Sequence, residues 1–195
     1  ELFDGAMPTR ETGTRASARA TLVPTDATLG VPGNPQSGTG QTTIVTGVNA
    51  ARAIGEHYGP YPNDALLALL RRDNIYHQLH AAHKTTAFAN AYPPFFFERL
   101  ARNTTRRSAM SHAAAAAGVR YRDINDLRAG RALSPFVTND RWHTADPTVP
   151  LITARQAGQN LARLAREHDF TLFEYFLTDI AGHKHLPDLT ARVLD

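Results

Sequence analysis

Pro35-Gln36-Ser37-Gly38-Thr39-Gly40-Gln41-Thr42-Thr43 puts a hydroxyl on a glycine-flanked turn that opens a helix, and far downstream stands Asp179-Ile180-Ala181-Gly182-His183. At a helix N-terminus the first backbone N–H groups lack carbonyl partners, and with the helix dipole they favour an anion. The second stretch follows an alternating, aromatic-rich segment, Phe170 to Leu177, that predicts a strand with Asp179 at its C-terminal end. In open α/β sheets that end is where ligands bind. A carboxylate and an imidazole are metal donors, so the two stretches together point to phosphoryl chemistry at a metal.

Outward from Ser37, Ala20-Thr21-Leu22-Val23 reads as a strand leading through Pro24, Gly30, Pro32, Gly33 and Pro35 into the turn. From Gln41 to about Glu56, the apolar residues Ile44, Val45, Val48, Ala51 and Ile54 recur at helical spacing, which places Ser37 just before the helix. The polar segment from Thr9 to Arg19 has no periodicity and is predicted to be loop. Asn63-Asp64 caps a predicted helix from Ala65 to Arg72, and Thr85 to Tyr92 is a predicted strand entering Pro93-Pro94. Phe95-Phe96-Phe97 reads as core seating a following helix. Further helices are predicted for Ser108 to Ala117, stopped by Gly118, and for Thr153 to His168 with Leu161 and Leu164 inward. Interleaved strand and helix patterns predict α/β layers with a mostly parallel sheet.

Gln36-Ser37-Gly38-Thr39-Gly40-Gln41 resembles the nucleophile loop of the alkaline phosphatase superfamily, in particular the branch of cofactor-independent phosphoglycerate mutase and phosphopentomutase. Ser37 falls on the nucleophile and Gly40 matches, while Gln41 stands where the branch carries His. Asp179, Gly182 and His183 match that branch's Asp-x-x-Gly-His metal motif, and Asp4 in Leu2-Phe3-Asp4-Gly5 is the counterpart of a metal-binding Asp that ends the opening strand. Taken singly, Ser37 reads as turn chemistry and Asp179 as a helix cap with a surface His one turn on. Their occurrence together, in family order, favours the resemblance.

The resemblance implies an alkaline phosphatase-like layered fold, with residues 1–84 and 151–195 as the metalloenzyme core and 85–150 as an inserted cap. It implies two divalent ions, Mn²⁺ or Zn²⁺, one held by Asp179 and His183 and the other by Asp4 and Ser37. Ser37 would attack phosphorus in a small phosphorylated substrate to give a phosphoserine, released to water in a phosphatase or to an acceptor hydroxyl in a mutase. A metal-dependent phosphatase or mutase is preferred, with phosphodiesterase open. Mutases of this branch read the rest of the ligand with cap arginines, and Arg99, Arg120, Arg122 and Arg131 are candidates. The superfamily's later ligands, an Asp-His pair followed by Gly and then a further His, have no counterpart after His183 in this sequence. The rival expectation, favoured only where those ligands are lost from the whole protein rather than from this stretch of it, is a non-catalytic binding or interaction domain on a degenerate core of the same kind.

Pro35 to Thr42 also imitates a nucleotide P-loop, but Pro35 occupies the first Gly position and Gln41 the Lys position, which removes the charge that reaches the terminal phosphates. With 195 residues, 42% of them hydrophobic and 20% charged, the chain has the composition of an ordinary soluble domain. It contains no cysteine, so disulfides and thiolate metal sites are excluded, and a reducing cytoplasm is the expected location. No apolar run approaches the ~20 residues of a membrane helix, and no cleavable signal pattern is expected. The net charge of +3 is mild, and Arg102, Arg106 and Arg107 read as a solvated helix junction rather than a nucleic-acid surface.

Overall fold

A computed structural model describes residues 11–103 and 106–184, so Asp4 lies outside the described residues. The described chain is mixed α/β. It opens with β1 (Arg15–Ala16) and β2 (Thr21–Leu22), which pair antiparallel. Four helices follow, α1 (Ser37–Thr46), α2 (Ala50–Ile54), α3 (Asp64–Arg72) and α4 (Ile75–Ala81), and then β3 (Thr86–Phe88). Next come α5 (Pro94–Ala101), α6 (Ala109–Ala116), α7 (Ile124–Arg128) and α8 (Asp140–Ala145). The sequence of elements closes with α9 (Ala154–Glu167), β4 (Phe170–Leu172) and α10 (Leu177–Lys184). No described helix is long and apolar enough to cross a membrane.

Local chemistry sets most of these boundaries. The Asn63 side chain accepts from the Leu66 N–H to open α3, Asn74 does the same for α4, and Ser108 accepts from Ser111 to open α6. Capping boxes start α7 with Asp123 and Asp126, and α9 with Thr153 and Gln156. The single helix expected from Gln41 to Glu56 is two helices. Gly47 takes a left-handed φ of 69° and its N–H closes on the Thr43 carbonyl, ending α1, after which Asn49 caps α2. The first of these helices also begins four residues before Gln41, so Ser37 is its first residue rather than the residue ahead of it.

β3 and β4 run parallel, with Thr86, Ala87 and Phe88 opposite Phe170, Thr171 and Leu172. On the other side of β3, parallel bridges join Asn90 to Leu133 and Ala91 to Arg122. The alternation along β3 sends Phe88 to one face, where it packs with Val45, Leu70, Tyr76, Met110 and Ala113 from α1, α3, α4 and α6. Ala87 and Ala89 point to the opposite face and pack with Ala157 and Leu164 of α9. Helices thus cover both faces of the parallel pair. The first of these cores joins residues on both sides of the expected cap boundary at residue 85.

Further sequence expectations change, the strand expected from Thr85 to Tyr92 being β3 alone. The segment from Thr9 to Arg19 contains β1, a two-residue exposed strand too short to show a period; its turn into β2 is built by the Ser17 hydroxyl, which accepts from Arg19 and Ala20 N–H. The strand expected through Leu177 stops at Leu172, and Asp179 lies in the first turn of α10 instead of at a strand end, because the Ile180 N–H already closes on the Phe176 carbonyl at 3.0 Å. Ile44 is 71% exposed, whereas its neighbour Val45 is 2% exposed and forms the core contact.

Phe88 is fully buried, so Phe88→Ala is expected to lower the unfolding free energy by about 3–5 kcal/mol, while Ile44→Ala stays within about 0.5 kcal/mol, measured by urea unfolding. Equal losses from the two substitutions would contradict the assignment of Phe88 to the core.

Candidate functional site

Ser37 heads the ten-residue helix α1, preceded by Gln36, whose side chain makes no cap hydrogen bond. The next N–H groups are used unevenly. Thr39 donates to the Tyr58 carbonyl at 2.9 Å and Gly40 to the Gln36 carbonyl at 2.9 Å. The N–H groups of Ser37 and Gly38 have no backbone acceptor among the described residues. Gly38 is needed for this docking: a Cβ there would stand 2.5 Å from the Tyr58 carbonyl oxygen and 3.1 Å from that of Tyr61. Further along α1, the hydroxyls of Thr42, Thr43 and Thr46 each donate to the carbonyl four residues back, so their polar atoms are satisfied inside the helix.

One turn after Ser37, Gln41 points into a polar cluster at the C-terminal end of the parallel pair. Its Nε2 donates to Glu174 Oε1 at 3.1 Å, and its Oε1 accepts from the Ala109 N–H at 3.2 Å. The Ser108 hydroxyl donates to Glu174 Oε2 at 2.8 Å while capping α6. Asn90, two residues beyond β3, donates from Nδ2 to the Glu174 carbonyl and accepts the Glu174 N–H at Oδ1, both at 2.8 Å. The Glu174 side chain is buried, and desolvation pushes its carboxyl up to about 7, partly opposed by the hydrogen bonds from Ser108 and Gln41. Tyr76 and Tyr92 are held well above the usual phenol value, first by burial and then by the Glu174 charge.

Asp179 and His183 lie one turn apart on α10, with Oδ1 and Nε2 3.5 Å apart and both side chains largely exposed. Two donors at about 2.0–2.2 Å from one tetrahedral ion stand close to that separation from each other, so the pair fits one side of a divalent cation site. Among the described residues no group of three or more His, Cys, Asp or Glu gathers as a metal site, and the expected partner Asp4 is outside them. No hydrogen bond or ion pair joins Ser37 to Asp179 or His183 among the described residues; α1 and the segment entering α10 are connected through Gln41 and Glu174.

The candidate substrate-reading arginines separate. Arg120 grips Asp126 with two hydrogen bonds of 2.7 and 2.9 Å, and this holds the Asp126 carboxyl below the usual range. Arg131 stands 3.6 Å from the same carboxylate, and Arg122 donates to the Arg131 carbonyl at 2.9 Å. These three fasten the start of α7. Arg99 instead lies over the Phe95 ring at 5.6 Å. Phe95 itself is 57% exposed, so of the three consecutive phenylalanines it is Phe96 that fills the core, and Phe95 faces an aromatic cavity.

Glu174 and Asn90 are the residues that sequence reasoning missed. Each is a polar residue inside an otherwise apolar run, Ala87-Phe88-Ala89-Asn90-Ala91 and Leu172-Phe173-Glu174-Tyr175-Phe176. A buried polar group needs partners, and that interruption is the signal that could have marked them.

The raised Glu174 value sets a pH dependence. The folded state holds this proton more tightly than the unfolded chain, whose carboxyl keeps its ordinary value near 4.5, so the stability it contributes is complete below that value and is lost as pH rises through 7. Between about pH 5 and pH 8, the unfolding free energy of the unsubstituted chain is expected to fall relative to that of Glu174→Gln by on the order of 2 kcal/mol; parallel pH profiles would contradict it. No family model matches the chain, and neither a curated protein nor a solved structure is detectably similar to it.

Proposed function

We propose that this chain carries the nucleophile of a metal-dependent phosphatase or phosphomutase, with Ser37 attacking the phosphorus of a phosphate ester. The observation that carries this reading is the position of Ser37. It is the first residue of a ten-residue helix, with its own N–H lacking a backbone acceptor among the described residues and the helix held by Gln41 to the segment that leads into Asp179 and His183. The same reading retains an alkaline phosphatase-like core with a cap over residues 85–150.

In this reading the Ser37 N–H and the positive end of α1 take the phosphoryl oxygens, which orients phosphorus in front of the Ser37 hydroxyl. A bond forms from Ser37 Oγ to phosphorus as the bond to the substrate's alcohol oxygen breaks, and the alcohol leaves with a proton. Water, or a second hydroxyl in a mutase, then takes the phosphoryl group from Ser37. The close packing of Gly38 on the Tyr58 and Tyr61 carbonyls holds the N-terminus of α1 in place. Divalent cations held by Asp179 with His183, and by Asp4 with Ser37, would supply stabilisation of the negative charge that builds on the phosphoryl oxygens.

The test is calorimetric titration with Mn²⁺ and Zn²⁺ beside hydrolysis of a generic phosphate monoester. Asp179→Ala and His183→Ala are each expected to weaken binding of one ion at least about 10-fold, and Ser37→Ala to abolish hydrolysis. Failure of the unsubstituted chain to take up either ion, or hydrolysis undiminished in Ser37→Ala, overturns the proposal; the first result would favour a non-catalytic binding domain on the same core.

A further inference from the structure

A cavity of about 560 Å³ lies beside the turn that carries Ser37, within the size range of small-ligand sites. Its walls are aromatic from two directions. Tyr92 and Phe96 stack with ring centroids 4.0 Å apart and continue to Phe95, while Phe136 and Phe176 meet edge to face at 6.0 Å. Tyr61 and Trp142 complete the lining. Phe95, Tyr61 and Phe176 are 57%, 41% and 37% exposed, so three of the large apolar side chains that the fold leaves in water are gathered on one concavity. Scattered exposed aromatics need no explanation, but a concave cluster of them marks a binding surface.

Arginines lie over three of the wall rings. Arg141 lies 3.8 Å over the Phe136 ring, Arg99 5.6 Å over Phe95 and Arg106 6.0 Å over Tyr61. Three of the wall aromatics therefore each carry a guanidinium. No Asp or Glu lines the cavity among the described residues. An apolar, aromatic slot with guanidinium groups over its rings suits a flat ring attached to a negatively charged group and disfavours cations.

The cavity also touches both elements of the candidate chemistry. The Tyr61 carbonyl is one of the two that leave no room for a Cβ at Gly38, next to Ser37, while the Tyr61 ring is in the wall. Phe176 is in the wall too, and its carbonyl receives the Ile180 N–H at the start of the helix that carries Asp179.

We infer that the cavity holds the alcohol portion of the phosphate ester, and that this portion is a planar aromatic group, an aryl or nucleoside moiety. The ring stacks between Phe95 and Phe136, and the three arginines draw the anionic ester in. The inference rests on the phosphoryl-transfer reading for the identity of the ester, but binding can be measured without turnover.

Trp142 is the single tryptophan of the chain, so its fluorescence reports the cavity alone. In Ser37→Ala, which cannot turn substrate over, phenyl phosphate and adenosine 5′-monophosphate are titrated beside glycerol 3-phosphate and inorganic phosphate, with the metals present. Both aromatic esters are expected to change the Trp142 signal saturably and to bind at least about 10-fold more tightly than glycerol 3-phosphate. Phe95→Ala in the same background is expected to weaken them at least about 5-fold and to leave inorganic phosphate unchanged. The relative affinity of phenyl phosphate and the nucleotide separates the two sources of the ring. Equal affinity for aromatic and aliphatic esters, or no response to Phe95→Ala, overturns the inference even where Ser37-dependent hydrolysis is found. Saturable aromatic binding in a chain that hydrolyses no phosphate ester supports the cavity and overturns the phosphoryl-transfer reading instead.

Discussion

A carboxyl group buried at the end of a strand is costly unless donors reach it, and at Glu174 each carboxyl oxygen accepts one hydrogen bond, so the structure gathers around it. Gln41 comes from the helix headed by Ser37, Ser108 from the N-terminus of α6, and Asn90 from the end of β3. Four segments remote in sequence are therefore fixed at one point, and none can shift without leaving a buried polar atom unsatisfied. Gln41 suits this role because its amide donates to one partner and accepts from another, which an aliphatic side chain of the same length could not do. Its position also couples the helix headed by Ser37 to the segment that enters α10.

Around that point the packing follows the two-residue period of β3. Phe88 on one face and Ala87 with Ala89 on the other allow a bulky helix layer above and a close helix below. Ala91 continues the pattern into a third cluster with Leu127, Ala132 and Val149, which carries the support out under the loops beside the aromatic cavity. The small residues of this strand let α9 and the segment at Leu133 approach it, so the helices meet a flat surface and leave their polar faces to solvent.

Much of this was legible in the sequence where a strong local signal existed. Asn63-Asp64 announces its helix by capping, the alanine run ended by Gly118 by propensity and Leu161 with Leu164 by spacing, and the three helices stand within a residue or so of the expected limits. The alternation of strands and helices gave the α/β class. What was not legible depended on partners far along the chain. The break at Gly47 is hidden by apolar spacing that continues across it, and Gly38 and Gly40 lowered the helical signal at the very turn where α1 begins, a turn held in part by the distant Tyr58 carbonyl. Of the candidate site, Ser37, Asp179 and His183 could be proposed from motifs. Glu174 and Asn90 show in the sequence only as polar interruptions of apolar runs, and their partners, like the arginine-topped aromatic walls, depend on burial and on contacts that span the fold.

The reciprocal pair between Asn90 and the backbone of Glu174 has a further consequence. A side-chain amide there imitates a peptide group and supplies one more rung of the ladder just where the main chains of β3 and β4 part. The two chains can diverge around the cavity without stranding a buried donor or acceptor, so the splay is built into a side chain rather than into the backbone. In hydrogen-exchange terms the Glu174 amide belongs to the sheet, though the strand itself has already ended, and a single residue type at position 90 decides how far the sheet's cooperativity extends toward the candidate site.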